Sequence, residues 1–249
     1  MLVYRKKGEN MDIKKQYFEI IKQHIDDVYE KQHDKFKRIA QMFGECMENN
    51  GVVQLFGVNH GEEFVNELNY RAGGIAPYHA LKFRDMMLRG FIDQKDIDSN
   101  EIYNDISVVE KFNEAFDLDD RDMYCIVSFY GNEPLILALA KKAKQNNQKV
   151  VGVINKKSYD KHNGSLLDYC VEWIDMCADE PDVALNIDGT SVGQLSSTVA
   201  NVIAQMLTAE VYNYYVSIGE KPPVLLSANV KGADVYNNSF TDPYGRRIR

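Results

Sequence analysis

The stretch VVQLFGVNHGEEFVNELNYRAGGIAP, residues 52–77, decides the fold class. It opens with a short apolar run, Val52 to Gly57, directly after the turn-forming Asn49-Asn50-Gly51. Such a run suits a parallel strand buried on both faces, where no polar alternation is needed. Asn59-His60-Gly61 makes a tight turn. Glu62 to Ala72 then reads as a helix with Phe64, Val65, Leu68 and Ala72 apolar. Gly73-Gly74 stops that helix, and Pro77 forbids its early resumption.

Upstream, residues 12–49 read as an N-terminal helical arm. Ile13, Tyr17, Ile20, Ile21, Ile25 and Val28 share one helical face. Phe36, Ile39, Ala40, Phe43 and Met47 continue it, as one long helix or as two joined near His33–Lys35. The first residues, MLVYRKKGEN, read as a frayed start, because charges stand where a signal peptide needs an apolar segment. Downstream, residues 78–100 show no clear pattern. Glu101 to Phe116 is a predicted helix, and Met123 to Phe129 a second buried strand. A turn at Tyr130-Gly131-Asn132 leads into a helix from Pro134 to Asn146. Further strands are expected at Lys149–Asn155, Asp168–Ile174 and Val183–Ile187, a long helix at Leu195–Val216, and a short apolar run at Val224–Ala228. Strands alternating with helices predict an α/β protein, a mostly parallel sheet with helices on both faces. A single domain over residues 1–249 is expected, with the α/β core at 52–235.

The chain has 249 residues, enough to bury a full core, and its 15 tyrosines and 11 phenylalanines argue against disorder. No apolar run reaches the roughly 18–20 residues that span a membrane. The net charge is −8, and the cations do not cluster apart from Arg246, Arg247 and Arg249, so nucleic-acid binding is not expected. Cys46, Cys125, Cys170 and Cys177 form no CxxC and no zinc-type spacing. They read as reduced thiols of a cytoplasmic protein, and no metal is expected.

Ligands of open parallel sheets bind beyond the carboxyl ends of the strands. Two turns meet that condition: Gly57-Val58-Asn59-His60-Gly61 and Ser128-Phe129-Tyr130-Gly131-Asn132. Each follows a buried strand and opens a helix, whose first N–H groups hold anions well. A glycine after a strand also serves turns that bind nothing.

The segment Leu55 to Pro77 resembles the first motif of uncharacterised sugar-isomerase-domain (SIS) proteins. There a G-T-G-H-S-type turn is followed by a helix ending E-x-x-Y-R-A-G-G-x-A-P. The matches are Gly57, His60, Glu67, Tyr70, Arg71, Ala72, Gly73, Gly74, Ala76 and Pro77. Gly193 to Ala200 resembles the family's Ser/Thr-rich opening of a long helix. Pro222 to Asn229, with Gly232 and Asp234, resembles its P-P-V-x-x-S-A-N segment. The resemblance implies a three-layer flavodoxin-like domain with a five-stranded parallel sheet, a dimer or tetramer, and no cofactor. It implies a phosphosugar ligand or amino-sugar derivative, held by Ser/Thr turns as in phosphoheptose isomerase and N-acetylmuramic acid 6-phosphate etherase. On that basis Gly57, Val58, Asn59, Gly61, Ser128, Tyr130, Gly131, Asn132, Ser196, Ser197 and Thr198 are the expected ligand-binding residues. Glu67 is the expected proton-transfer base of an aldose–ketose isomerisation, with His60 its helper.

The sequence also departs from the pattern. Asn59 replaces the second glycine of the first turn, and Gly61 its serine. The second turn, usually S-N-S-G-x-N or S-x-S-G-x-T, keeps Ser128 and Gly131, with Asn132 as a third match, and loses small hydroxyls at Phe129 and Tyr130. Glu62 and Glu63 suit a helix start but oppose a nearby phosphate. Ser196, Ser197 and Thr198 serve equally as caps. Arg71 reads as a ligand or subunit contact, or as a helix-terminal cation. A non-catalytic sugar-binding protein is therefore the alternative function.

Overall fold

The computed structural model describes residues 3–4, 12–99 and 101–248. Helix α1 runs unbroken from Ile13 to Glu48, with Asp12 Oδ1 accepting the Lys15 N–H at 3.2 Å as its N-cap. No break occurs near His33, because the apolar stripe keeps helical register throughout. Strand β2 (Val53–Gly57) leads into α2 (Gly61–Leu68), then into β3 (Tyr78–Ala80). The short helices α3 (Phe83–Leu88) and α4 (Gln94–Asp98) follow, then α5 (Val108–Phe116), β4 (Met123–Ser128) and α6 (Pro134–Gln145). Next come β5 (Val150–Ile154), α7 (Lys156–Lys161) and β6 (Glu172–Asp175). The chain closes with β7 (Leu185–Ile187), β8 (Thr190–Val192), α8 (Ser196–Ser217) and α9 (Ala233–Thr241).

Five strands make one parallel sheet in the order β3-β2-β4-β5-β6. Helices α1, α2 and α8 cover one face through Phe43, Phe64, Leu68, Ile203 and Leu207. Helices α3, α5 and α6 cover the other through Met86, Phe112, Phe116, Leu135 and Leu139. The three-layer α/β architecture follows, each strand of β2, β4 and β5 being buried on both sides as its unbroken apolar run requires.

Membership of the sheet differs from expectation in two places. The fifth strand is Tyr78–Ala80, only three residues long and too short to carry a period. Leu185–Ile187 instead pairs with β8 and with β1 (Val3–Tyr4) in a separate three-stranded sheet. Val3 and Tyr4 are thus not frayed; residues 5–11 lie outside the described residues. The helix expected over Glu101–Phe116 begins at Val108, after a 3₁₀ turn at Glu101–Asn104.

Helix α2 ends four residues before the expected Ala72. Asn69 turns extended, and its Oδ1 accepts the Ala80 N–H at 2.9 Å, joining the helix end to β3. Tyr70 then takes a left-handed φ of 44°. The glycines that follow serve a clasp. Gly73 N–H donates to the Leu225 carbonyl (2.8 Å), Leu225 N–H to Gly74 (2.9 Å) and Ala76 N–H to Pro223 (2.7 Å). Ile75 and Val224 form an antiparallel bridge. The A-G-G-I-A-P and P-P-V-L-L segments therefore hold each other.

Strand β6 ends the sheet, and its outer backbone is satisfied by a side chain of α1. Gln32 Nε2 donates to the Asp175 carbonyl and Gln32 Oε1 accepts the Asp175 N–H, both at 2.7 Å. Gln32 is buried. Replacing it with leucine leaves both backbone groups without a partner and is expected to cost about 1–3 kcal/mol in urea denaturation.

Burial pushes the thiols of Cys46, Cys170 and Cys177 up to about 12, and that of Cys125 upward as well. None is a thiolate at neutral pH, and all four are free. No helix among the described residues is long and apolar enough to cross a membrane.

Candidate functional site

The chain leaves β2 toward β3 on one side, then crosses back to β4 on the other. The carboxyl ends of β2 and β4 are therefore the topological switch point of the sheet. Gly57 stands beside Val127 in register, so the two turns singled out in the sequence are neighbours.

The first turn is packed to backbone contact. A methyl on Gly57 would lie 2.7 Å from the Gly61 carbonyl oxygen, and one on Gly61 would lie 2.9 Å from that of Val127. Gly61 thus gives up a hydroxyl for close approach. Asn59 has a φ of 52°, a conformation asparagine tolerates, which explains how it stands in for glycine. Val58 is buried, and its carbonyl accepts the Gly61 N–H at 2.9 Å. It offers only backbone to this corner.

His60 reaches across to the opening of α8. Gln194 Nε2 donates to its ring, 2.8 Å from Nδ1, and Gln194 Oε1 accepts the Ser197 hydroxyl at 3.2 Å. The Tyr17 hydroxyl donates to the Gln194 carbonyl at 2.9 Å and lies 3.2 Å from Thr198 Oγ1. The structure thus brings together His60, Ser197 and Thr198, through two residues the sequence reading missed, Gln194 and Tyr17. Gln194 is adjacent to the Ser/Thr run and was visible as a polar neighbour of it. Tyr17 gave no signal, since its place in the α1 stripe made it look like core.

Ser196 faces elsewhere. Its hydroxyl donates to Asp182 Oδ2 at 2.5 Å, and its N–H and that of Leu195 donate to Asp182 Oδ1 at 2.7 and 3.2 Å. In the second turn the Ser128 hydroxyl donates to Glu133 Oε2, which also accepts the Asn132 N–H at 3.2 Å. Ser128 Oγ accepts the Gly131 N–H at 2.6 Å, and Asn132 Nδ2 donates to the His162 carbonyl at 3.0 Å. Counted in register, the last place of the S-N-S-G-x-N pattern falls on Glu133, so Asn132 is its variable place and not a match. Tyr130 stacks edge-on against His162, ring centroids 4.6 Å apart.

Glu67 does not share this corner. Its carboxylate pairs with Arg71, one turn on, and accepts Gln205 Nε2 at 2.7 Å. Gln205 lies eight residues past Ser197, about 12 Å along α8 at 1.5 Å per residue. Glu67 and His60 are thus fixed to separate places on one helix. Arg71, beyond the end of α2, is the partner of Glu67.

On the β3 side of the first turn lies a cleft of about 350 Å³, with Gly57, Glu62, Lys82, Phe83 and Tyr103 in its walls. Partial desolvation raises the Glu62 carboxyl, opposed by the Tyr103 hydroxyl 3.5 Å away and by Lys82. Among the described residues no group of three or more His, Cys, Asp or Glu is gathered to hold a metal ion.

A profile of the SIS domain matches residues 16–155. The chain is 28% identical over 244 residues to a UPF0309 protein of Geobacillus kaustophilus, with 94% of each chain covered. Its fold is similar to that of a phosphoheptose isomerase from Francisella tularensis, with a TM-score of 0.57 at 17% identity over 82% of this chain and 98% of that one. It is similar also to the Vibrio vulnificus NanR protein complexed with ManNAc-6P, with a TM-score of 0.52 at 14% identity over 95% and 69%. The profile covers more than half of the sequence, and the turn that carries His60 lies within it: this chain belongs to the SIS domain family.

Proposed function

We propose that this protein binds a carbohydrate derivative at the switch-point corner. One observation carries the reading: His60 of the first turn is joined through Gln194 to Ser197 of α8, directly beside the second turn. A sugar needs converging donors and acceptors on a rigid frame, and this corner supplies them from three separate elements. Fold neighbours that hold sugar phosphates, such as the NanR protein with ManNAc-6P, support the ligand class.

Aldose–ketose isomerisation by Glu67 with His60 is the second reading, given by the family motif. The separation of the two side chains along α8 favours binding without turnover. Isotope exchange at C2 of hexose and heptose phosphates tests it. Exchange that disappears in Glu67→Gln restores the isomerase reading.

A thermal-shift panel of sugar phosphates and free amino sugars tests the binding itself. A ligand at 100 times its Kd adds about 2.7 kcal/mol, roughly 5–10 °C for a domain of this size. His60→Ala is expected to abolish most of that shift, and no shift with any sugar would refute the reading. Self-association belongs to the same proposal, since Phe18 and Tyr29 of α1 and Tyr212 and Val216 of α8 are exposed.

A further inference from the structure

The cleft on the β3 side of the first turn is separate from the His60 corner. Its floor, Phe56, Leu81 and Phe83, belongs to the sheet face packed by α3, α5 and α6. Gln194 and Ser197 stand instead at the opening of α8, on the opposite face. The Leu81 N–H donates to the Leu55 carbonyl at 2.9 Å, which carries Lys82 from the end of β3 to the cleft. Phe83 meets Phe56 and Tyr103 edge-on, with ring centroids 6.2 and 5.5 Å apart. Met87 of α3 and Ile97 of α4 complete an apolar wall. At about 350 Å³ the cleft falls at the lower end of the range for small-molecule sites, roughly 300–1,000 Å³.

Two opposite charges line this cleft without meeting. Glu62, in the first turn of α2, accepts the Tyr103 hydroxyl at 3.5 Å. Partial desolvation raises its pKa, as it does for a carboxylate short of a cation. Lys82 is partly buried where the chain enters α3. Among the described residues neither Glu62 nor Lys82 has an ion-pair partner. Arg84 adds a second cation beside Lys82 and is loosely paired, to Asp85 at 3.7 Å. Three demands thus converge: a cation for Glu62, an anion for Lys82 and apolar surface for the floor. A sugar phosphate answers only the second, since its hydroxyls gain nothing from an apolar wall and its charge opposes Glu62. A free amino acid with an apolar side chain answers all three, its ammonium and carboxylate sitting on one carbon.

We propose that this cleft is a second binding site, for a free α-amino acid with an apolar side chain: its ammonium on Glu62, its carboxylate on Lys82, its side chain against Phe83 and Ile97. The site is additional to the carbohydrate corner and does not depend on it.

Isothermal titration of the full chain with L-phenylalanine, L-leucine and glycine tests this, together with two analogues that each lack one charge. Phenethylamine keeps the ammonium alone, and phenylpropionate the carboxylate alone. L-Phenylalanine and L-leucine are expected to bind, and glycine, which has no body for the floor, to give no heat. Each analogue is expected to bind at least about tenfold more weakly than L-phenylalanine, the loss of one charge-assisted contact. Glu62→Gln should weaken L-phenylalanine by about the same factor and leave phenylpropionate unchanged. Lys82→Gln should weaken L-phenylalanine likewise and leave phenethylamine unchanged. Melting temperatures of the unliganded variants report their folding, and the analogues test the same two charges in the unaltered chain. Binding of neither L-phenylalanine nor L-leucine by the parent overturns the inference. So does an analogue that binds as tightly as L-phenylalanine, or an L-phenylalanine affinity unchanged in either variant.

Discussion

Arg247→Ala is expected to lower folding stability by about 3–5 kcal/mol, the usual cost of removing one partner of a buried ion pair. Arg247 reaches from the last turn of the chain to Asp122, whose side chain is fully buried at the start of β4. Asp122 also accepts the Val52 N–H at 2.9 Å, Gln54 Nε2 at 2.9 Å and the Asp119 N–H at 3.1 Å. The carboxylate thus gathers the first residues of two central strands, and the guanidinium is its only cation among the described residues. Arg247 Nη1 further donates to the Asn50 carbonyl at 3.0 Å, tying the tail to the end of α1. Without the guanidinium a charge stays buried with hydrogen bonds and no counter-ion. The urea midpoint should fall with its slope unchanged. Arg247→Lys should lose less, since it keeps a charge but forgoes the fork. A loss under about 0.5 kcal/mol for Arg247→Ala would show that water or rearrangement replaces the pair.

That pair marks a limit of sequence reading. Arg246, Arg247 and Arg249 were seen only as the end of an acidic chain. Nothing in the spacing says that Arg247 returns across 125 positions to a carboxylate whose own neighbours, Asp119 and Asp120, look like an exposed turn. Local signals fared better. Val52–Gly57, Met123–Phe129 and Lys149–Asn155 were legible because a strand buried on both faces shows an apolar run whatever lies around it. The long helices were legible by their stripes. Tyr78–Ala80 was not, since three residues carry no period and its pairing follows from Asn69 and β2.

The strongest part of the family resemblance turned out to concern the fold. Gly73, Gly74, Ile75 and Ala76 clasp Pro223, Val224 and Leu225, joining the end of the α2 loop to the segment after α8. Such residues specify structure, so their match identifies the family without describing the ligand. The hydrogen bonds around the two turns and the opening of α8 run instead through Gln194, Glu133 and Asp182. Gln194 meets His60 across 134 positions and Asp182 meets Ser196 across 14, and no periodicity announces either. Glu133 was legible, one place beyond the segment taken as the second turn.

Acidification provides the second large effect. His79 lies buried on β3, where desolvation first, then Arg89 and Lys82, push its pKa down to about 3. Gln54 fixes its tautomer: the amide nitrogen is committed to Asp122, so Oε1 accepts the His79 Nδ1–H at 2.8 Å. A second proton would put a charge on the far nitrogen, in a pocket where the Phe116 ring lies 5.2 Å away. The unfolded chain takes up that proton near pH 6.5, whereas the folded chain refuses it until about pH 3. Between those values the unfolded state binds more protons, so stability rises with pH and falls on acidification, by about 1.4 kcal/mol per pH unit. From pH 7.5 to pH 5 the loss from this one group is about 2 kcal/mol. The carboxylates of the chain contribute their own acid dependence, and the comparison that isolates His79 is with His79→Gln, which cannot titrate. At pH 7.5 that variant should be the less stable, having lost ring packing against Phe116. By pH 5 the difference should shrink or reverse by about 2 kcal/mol. Parallel pH profiles for the two proteins would show instead that the folded chain admits the proton, with Gln54 and Asp122 rearranging to receive it.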